Sequence, residues 1–289
     1  MNIGITLIKQ DYTPEAFAYQ LFLEKKGHIV QLDYKLDPNN DINIYFMGLR
    51  PFYQKKKKAL EIHEYQSLST PPYCLLKDSV KKIFNKKPNG RIFLNNFVYN
   101  QMQFKDNIPF IKRDMGVDEN LFQSPSKNPL YDIVYSGSIL GREGLIKVIQ
   151  KLAKFYKILV IGQVTNYHRQ FLNHENIYLT GRVERKFLPE LYREARYGLN
   201  FIPNLRPFNM QTSTKVLEYL ASGLQVISNR YSWMENFCKT INYEPIWFDD
   251  LDFLSLKHYQ QIPSMNRYKW ENILTESYFE QFLVKLLNK

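Results

Sequence analysis

Residues 212–229 read TSTKVLEYLASGLQVISN, a helix pattern running into a strand pattern. Thr212, Ser213 and Thr214 are types that start helices, and Gly223 is of the type that ends one. Between them Val216, Leu217, Leu220 and Ala221 share one side at helical spacing, with Lys215, Glu218 and Ser222 on the other. The run Gln225-Val226-Ile227-Ser228 is short, apolar and β-branched, which predicts a buried parallel strand. Two uses fit this unit. Lys215 and Glu218 form an ordinary surface i,i+3 pair, or the helix start faces a phosphate. In the second case free N–H groups and the positive dipole end favour an anion, and the hydroxyls add donors. Glu218, about one turn (~5–6 Å) along, would then accept from two vicinal ribose hydroxyls.

Working outward, strand and helix patterns alternate. Strands are predicted over 2–8, 29–34, 42–47 and 59–64, with a helix over 14–26 that opens on Thr13-Pro14-Glu15 and stops at Gly27. An amphipathic helix is expected over 72–85, with Leu76, Val80, Ile83 and Phe84 inward and the lysines outward. Segments 91–94 and 109–112, with a short helix from Val98, complete this series. Residues 118–129, containing SPSKNP, read as a linker. A second series follows, with strands over 133–136, 158–161, 177–179 and 198–202 and helices over 143–155 and 187–195. Alternation at this pace means parallel sheets, hence an α/β fold of two Rossmann-like domains with ligands at strand C-terminal ends. The expected division is 1–114, 115–265, and a C-terminal helical piece over 266–289.

The 289 residues suffice for two ordinary domains, and 44% hydrophobic content with 15% aromatics argues against disorder. Two cysteines, Cys74 and Cys238, make neither a disulfide framework nor a CxxC metal pattern, which fits a reducing cytoplasm. The apolar run in MNIGITLIKQDY is too short for a signal peptide, and no window reaches ~18 apolar residues. The formal charge of +11 is uneven: residues 1–115 hold 18 Lys/Arg against 11 Asp/Glu, or +7, and the rest 21 against 17, or +4. The Lys55–Lys58 run and the series from Lys77 to Lys87 are either solvated faces or the footprint of an anionic partner: membrane surface, lipid phosphate or nucleic acid.

The second half resembles the nucleotide-sugar glycosyltransferases of the GT-B fold, in particular the GT4-like (group 1) kind. The pieces that carry the resemblance are DIVYSGSILGREGL (132–145), KILVIG (157–162), NIYLTGRVERKFLPELYREARYGLNFIP (176–203) and TSTKVLEYLASGLQVIS (212–228), in the family's order. In the first half EIHEY (61–65) resembles the family's His-Asp element, and RDMGVDENLF (113–122) its interdomain segment. Trp270 and the last helix resemble the C-terminal helix that crosses back to the N-terminal domain. The resemblance implies two domains facing each other across a cleft, acceptor in the first and nucleotide-sugar in the second. It implies that Gly137 and Ser138 approach the diphosphate and that Arg182 and Val183 hold the base. Thr212, Ser213 and Thr214, with Lys215 beside them, would cradle the β-phosphate, and Glu218 would hold the ribose. The family's usual Arg and Lys stand here as Ser138 and Glu143, so Arg142 is taken as the substitute that neutralises the diphosphate. The first of the family's paired glutamates is replaced by Met210, which leaves donor identity and retention of configuration open.

His63 has a family analogue near the transferred sugar; read by itself it is equally a core histidine. Asp11 lies in the loop after the first strand, where inverting GT-B enzymes place a base, and it is also an ordinary loop aspartate. Asp250-Leu251-Asp252 mimics an Asp-X-Asp metal motif but reads as a helix cap, so no metal site is expected and no cofactor beyond the nucleotide-sugar substrate. GSILGREG lacks the spacing of a dinucleotide fingerprint. The expected function is metal-independent sugar transfer to a glycan or lipid-linked acceptor in surface polysaccharide biosynthesis. It is placed in the cytoplasm or peripherally at the inner membrane face. The alternatives are transfer to nucleic acid and a catalytically silent sugar-nucleotide-binding subunit.

Overall fold

The computed structural model describes residues 1–8, 13–53, 58–140, 142, 144–250, 256 and 260–288. The chain divides into two units, Met1–Gly116 with Tyr268–Lys289, and Val117–Arg267. Each is built on a six-stranded sheet whose paired strands run parallel.

In the first unit the strands are β1 (Asn2–Thr6), β2 (Ile29–Asp33), β3 (Ile42–Phe46), β4 (Leu60–Tyr65), β5 (Gly90–Phe93) and β6 (Phe110–Lys112), in the order β2-β1-β3-β4-β5-β6. Its helices are α1 (Pro14–Lys25), α2 (Cys74–Phe84) and α3 (Asn96–Met102). Ile42, Ile44 and Ile62 are fully buried, as covering a parallel sheet on both faces requires. Asn95 caps α3 by accepting from Val98 N at 3.0 Å.

The sequence placed the apolar side of α2 inward, and the structure turns it out. Leu76 and Ile83 are 63% and 71% exposed, and Phe84 is exposed with them. The buried member of the helix is Asp78, whose carboxylate accepts from Ser69 N at 3.0 Å. One charge-assisted bond to an otherwise orphaned backbone N–H fixes which side faces the body.

The segment 118–129 is not a free linker. Val117 and Leu121 are fully buried, Ser222 Oγ donates to Leu121 O at 2.9 Å, and Ser126 N donates to Arg193 O at 2.8 Å. Its apolar residues and backbone groups find partners on the second unit, against the turn propensity of SPSKNP. That unit holds β7 (Ile133–Ser136), β8 (Ile158–Ile161), β9 (Ile177–Gly181), β10 (Tyr197–Asn200), β11 (Gln225–Ser228) and β12 (Ile246–Trp247), in the order β12-β11-β10-β7-β8-β9. Its helices are α4 (Leu145–Ala153), α5 (Asn166–Arg169), α6 (Leu188–Arg193), α7 (Thr214–Ala221) and α8 (Ser232–Ile241). Strand order reverses between β7 and β10, so the crevice at their C-terminal ends is where an open α/β sheet takes ligands. Tyr219 of α7 lies flat on β10 because Gly198 has no side chain: a Cβ there would meet the ring at 2.2 Å.

The chain ends in two helices rather than one, α9 (Trp270–Glu276) and α10 (Phe279–Leu287), broken at Tyr278 with φ of 54°. Both pack on the first unit. Trp270 covers Gly116, where a Cβ would meet the indole at 2.4 Å, and Phe279 meets Tyr19 at 4.4 Å between ring centroids. No helix among the described residues is long and apolar enough to cross a membrane.

Candidate functional site

The site grows from the turn after β7. Gly137 has φ of 128° and Gly162, after β8, has φ of 144°, a region that disfavours side chains. A Cβ on Gly162 would lie 2.3 Å from Gly137 O, so both positions need glycine to bring the strand ends together. Lys215, in the first turn of α7, lies across Gly137; its Nζ is 4.8 Å from the Tyr135 ring centroid and 3.5 Å from the phenol oxygen. Burial, and then repulsion from Arg142, pushes the Lys215 ammonium well below the ordinary lysine range. Among the described residues no carboxylate stands within ion-pair distance of it. Arg142 crosses the switch point, donating from Nη1 to Phe201 O at 3.2 Å just beyond β10. Two cationic side chains therefore converge, and the carboxylate whose charge acts on Lys215, Glu218, is itself paired with Arg185; a bound diphosphate would neutralise the pair.

The α7 start lies beside this pair. Ser213 stands at the cap position, but its hydroxyl makes no cap bond and donates instead to Asn200 Oδ1 at 3.0 Å. Fully buried Asn200 donates in turn to Ser228 Oγ at 2.8 Å and to the Tyr231 hydroxyl at 3.0 Å. This network ties the ends of β10 and β11 to the α7 start, whose first amides have no side-chain acceptor. Thr212 and Thr214 flank Ser213 and are half-buried, while Ser138 is exposed at the β7 turn, its Oγ accepting from Leu140 N at 3.1 Å. Thus Gly137, Arg142, Ser213, Thr214 and Lys215 gather at one strand end. Arg182 and Val183 follow β9 as the sequence indicated, Arg182 exposed and Val183 half-buried.

Glu218 is not a surface residue. It is 4% exposed, its Oε1 is 2.8 Å from Arg185 Nη1, and its Oε2 accepts from the Tyr192 hydroxyl at 3.2 Å. The surface pairing with Lys215 is overturned, and Ser222 on the same side is fully buried. Arg185 also reaches Asp118 Oδ2 at 2.5 Å, so it joins the segment before β7 to the helix. Local pattern carried little signal for Arg185 or Asn200, because their partners Glu218 and Ser213 lie 33 and 13 residues away in the chain. Gln211, between Met210 and Thr212, carries a buried Nε2 with no hydrogen-bond partner.

His63 does not reach the surface. It is fully buried on β4, with Nε2 3.0 Å from Glu61 Oε1, and burial lowers its affinity for a proton. Burial alone would raise the Glu61 carboxyl, but bonds from His63, Arg50 and Lys86 hold it far below the usual carboxylate range. The histidine therefore lies in the sheet interior, as its reading as a core histidine has it, with Nδ1 buried and without a hydrogen-bond partner. Asp11 and Glu143 lie outside the described residues, as do positions 251–255. Asp250, the described member of the Asp-X-Asp lookalike, pairs with Arg230 at 2.7 Å.

Residues 142–257 match the model of a family described as glycosyl transferase-like. No curated protein matches the sequence. Among solved structures the chain is similar to AviGT4, a glycosyltransferase involved in avilamycin A biosynthesis, at 12% identity and a TM-score of 0.64, covering 100% of this chain and 98% of that one. It is also similar to a sucrose-phosphate synthase from Thermosynechococcus elongatus, at 11% identity and a TM-score of 0.63, with 99% and 97% covered. A third is Anabaena HepE in complex with UDP-glucose, at 9% identity and a TM-score of 0.59, with 100% and 97% covered. The chain has the GT-B fold along its whole length.

Proposed function

From a chain of the GT-B fold with a glycosyl transferase-like segment, we propose that this protein transfers a sugar from a nucleotide-sugar donor to a glycan or lipid-linked acceptor in surface polysaccharide biosynthesis. The observation that carries the reading is the pair Lys215 and Arg142 at the Gly137 turn, two half-buried cationic side chains side by side, with no ion-pair partner for either among the described residues. A nucleoside diphosphate supplies that anion. The acceptor hydroxyl oxygen attacks the anomeric carbon, the bond from that carbon to the diphosphate oxygen breaks, and the electron pair leaves with the nucleotide. Lys215, Arg142 and the first amides of α7 stabilise the departing charge, and no metal ion is invoked. Ser138, Thr212, Ser213 and Thr214 complete the phosphate surroundings, and Arg182-Val183 border the base. Glu218 is the ribose contact, reached where Arg185 shares it. Asp11, by its place after β1, is the base that takes the acceptor proton. The basic first unit meets an anionic membrane surface at the inner face.

Thermal melts with UDP, GDP, CMP, TDP and ADP sugars test the donor. Ligand that binds the native state raises the midpoint by mass action. One nucleotide series is expected to raise it in the wild type and fail to in Lys215→Met; no shift from any of them overturns the reading. The base is tested by Asp11→Asn, expected to keep the donor shift and lose turnover by ~100-fold or more.

A further inference from the structure

The outward face of α2 is the largest departure of this fold from its sequence pattern. Leu75, Leu76 and Ile83 are 77%, 63% and 71% exposed. The patch continues beyond the helix: Phe84 stacks on Phe52 at 6.3 Å and 28°, and Phe52 meets Tyr53 at 5.9 Å, with Tyr53 76% exposed. Backbone pairing fastens the two segments together, Phe52 N donating to Phe84 O at 2.9 Å and Arg50 N to Asn85 Oδ1 at 2.8 Å. Positive charge frames the patch. Lys77 and Lys82 sit at its flanks, held by Thr70 O at 3.1 Å and Gln101 O at 3.0 Å. Between residues 66 and 90 the sequence has five lysines and one acid; Asp78 is buried, and so is Lys86, which pairs with Glu61, so Lys77, Lys81, Lys82 and Lys87 are the lysines left to the frame.

A contiguous apolar patch on a water-facing unit marks a surface that is covered in use. A second copy would bring this lysine frame against its own image across a two-fold axis, like charge against like. An anionic bilayer complements both parts at once: the apolar side chains enter the headgroup boundary, and the lysines stay at phosphate level with their stems along the apolar surface. Insertion and charge are each weak anchors alone and suffice together.

We propose that α2, with Phe52 and Tyr53, is the element that docks this protein on an anionic lipid bilayer. Leu76 and Ile83 enter the acyl boundary, and the flanking lysines pair with lipid phosphates. The proposal sharpens the membrane part of the functional reading and shares its premise of a membrane-borne acceptor, but its test is independent of the donor. The full chain is sedimented with phosphatidylcholine vesicles, with and without about a third phosphatidylglycerol. Binding to the anionic vesicles is expected, falling at least tenfold in Leu76→Glu/Ile83→Glu and falling again between 50 and 300 mM salt, roughly two- to threefold in Debye length. The variant side chains replace exposed ones, and an unchanged melting midpoint with an unchanged donor-sugar shift verifies that the fold and the donor site persist. Equal vesicle binding by wild type and variant overturns the proposal, as does no binding by either. A wild-type dimer that the variant dissociates also overturns it, assigning the face to a second copy. If vesicles bind as expected while no nucleotide sugar shifts the melt, the docking stands and the donor reading fails.

Discussion

Lys215 lies across Gly137 so closely that a Cβ on the glycine would meet its Cε at 2.7 Å and its Nζ at 3.0 Å. The half-buried lysine and the bare backbone turn therefore form one unit, with φ of 128° reinforcing the need for glycine. Gly137→Ala is expected to displace the lysine and weaken nucleotide binding in the same direction as Lys215→Met. Loss of a charge-assisted bond costs ~1.5–3 kcal/mol, roughly 10- to 150-fold in affinity. Titration calorimetry with the best donor of the melt panel checks both. Wild-type affinity in Gly137→Ala would separate the lysine from the ligand.

The depressed Lys215 ammonium makes donor binding pH-dependent. A diphosphate stabilises the charged form, so the bound lysine titrates at a higher pH than the free one, and binding takes up a proton between those values. Affinity is full below the depressed value and falls as pH rises through it towards the ordinary 10.5. Arginine keeps its charge over this range. Lys215→Arg is thus expected to flatten the profile, with calorimetry in buffers of different ionisation enthalpy measuring the proton uptake. A sloping profile in the arginine variant would assign it to another group.

Glu218 is joined to Arg185 and Tyr192 in a buried cluster, so its removal acts on stability as well as on ligand. Sequence alone suggests that Glu218→Ala leaves the fold intact. The structure leads us to expect a loss on the order of 3–5 kcal/mol, the scale for stranding one partner of a buried pair. Glu218→Ala/Arg185→Met should recover part of it in urea melts. An unchanged midpoint in the single variant would return the carboxylate to solvent.

In the first unit Arg113 and Glu64 are both fully enclosed and bonded to each other, with the Tyr19 hydroxyl donating to the same carboxylate oxygen at 3.0 Å. Burial pulls the Glu64 carboxyl upward against the guanidinium. Arg113→Met is expected to destabilise by ~3–5 kcal/mol, and Arg113→Met/Glu64→Leu by less, since an apolar pair strands no charge. Denaturant midpoints read the difference, and additive losses would show the two residues to be energetically separate.

The 212–229 stretch determined its own local structure: hydroxyls before an apolar-striped run, a glycine stop and four strand residues became α7 and β11 with little adjustment. Periodicity is a local property, and parallel sheets need long apolar runs, so the strands at 133–136, 158–161 and 225–228 were legible residue for residue. The Gly137 turn and Lys215 were named because the pieces that hold them resemble a known order, and Arg142 only as the substitute where that order lacks its usual cations. What local pattern could not contain was direction. Which side of α2 meets the body is decided by Asp78 finding Ser69 N, not by where its leucines lie. Glu218 looked solvent-facing until Arg185 and Tyr192, from a separate helix and its approach, closed over it. His63 was readable both as a site residue and as a core histidine, and the fold buries it completely on β4. Burial of a polar side chain depends on partners distant in sequence, and only the folded chain supplies them.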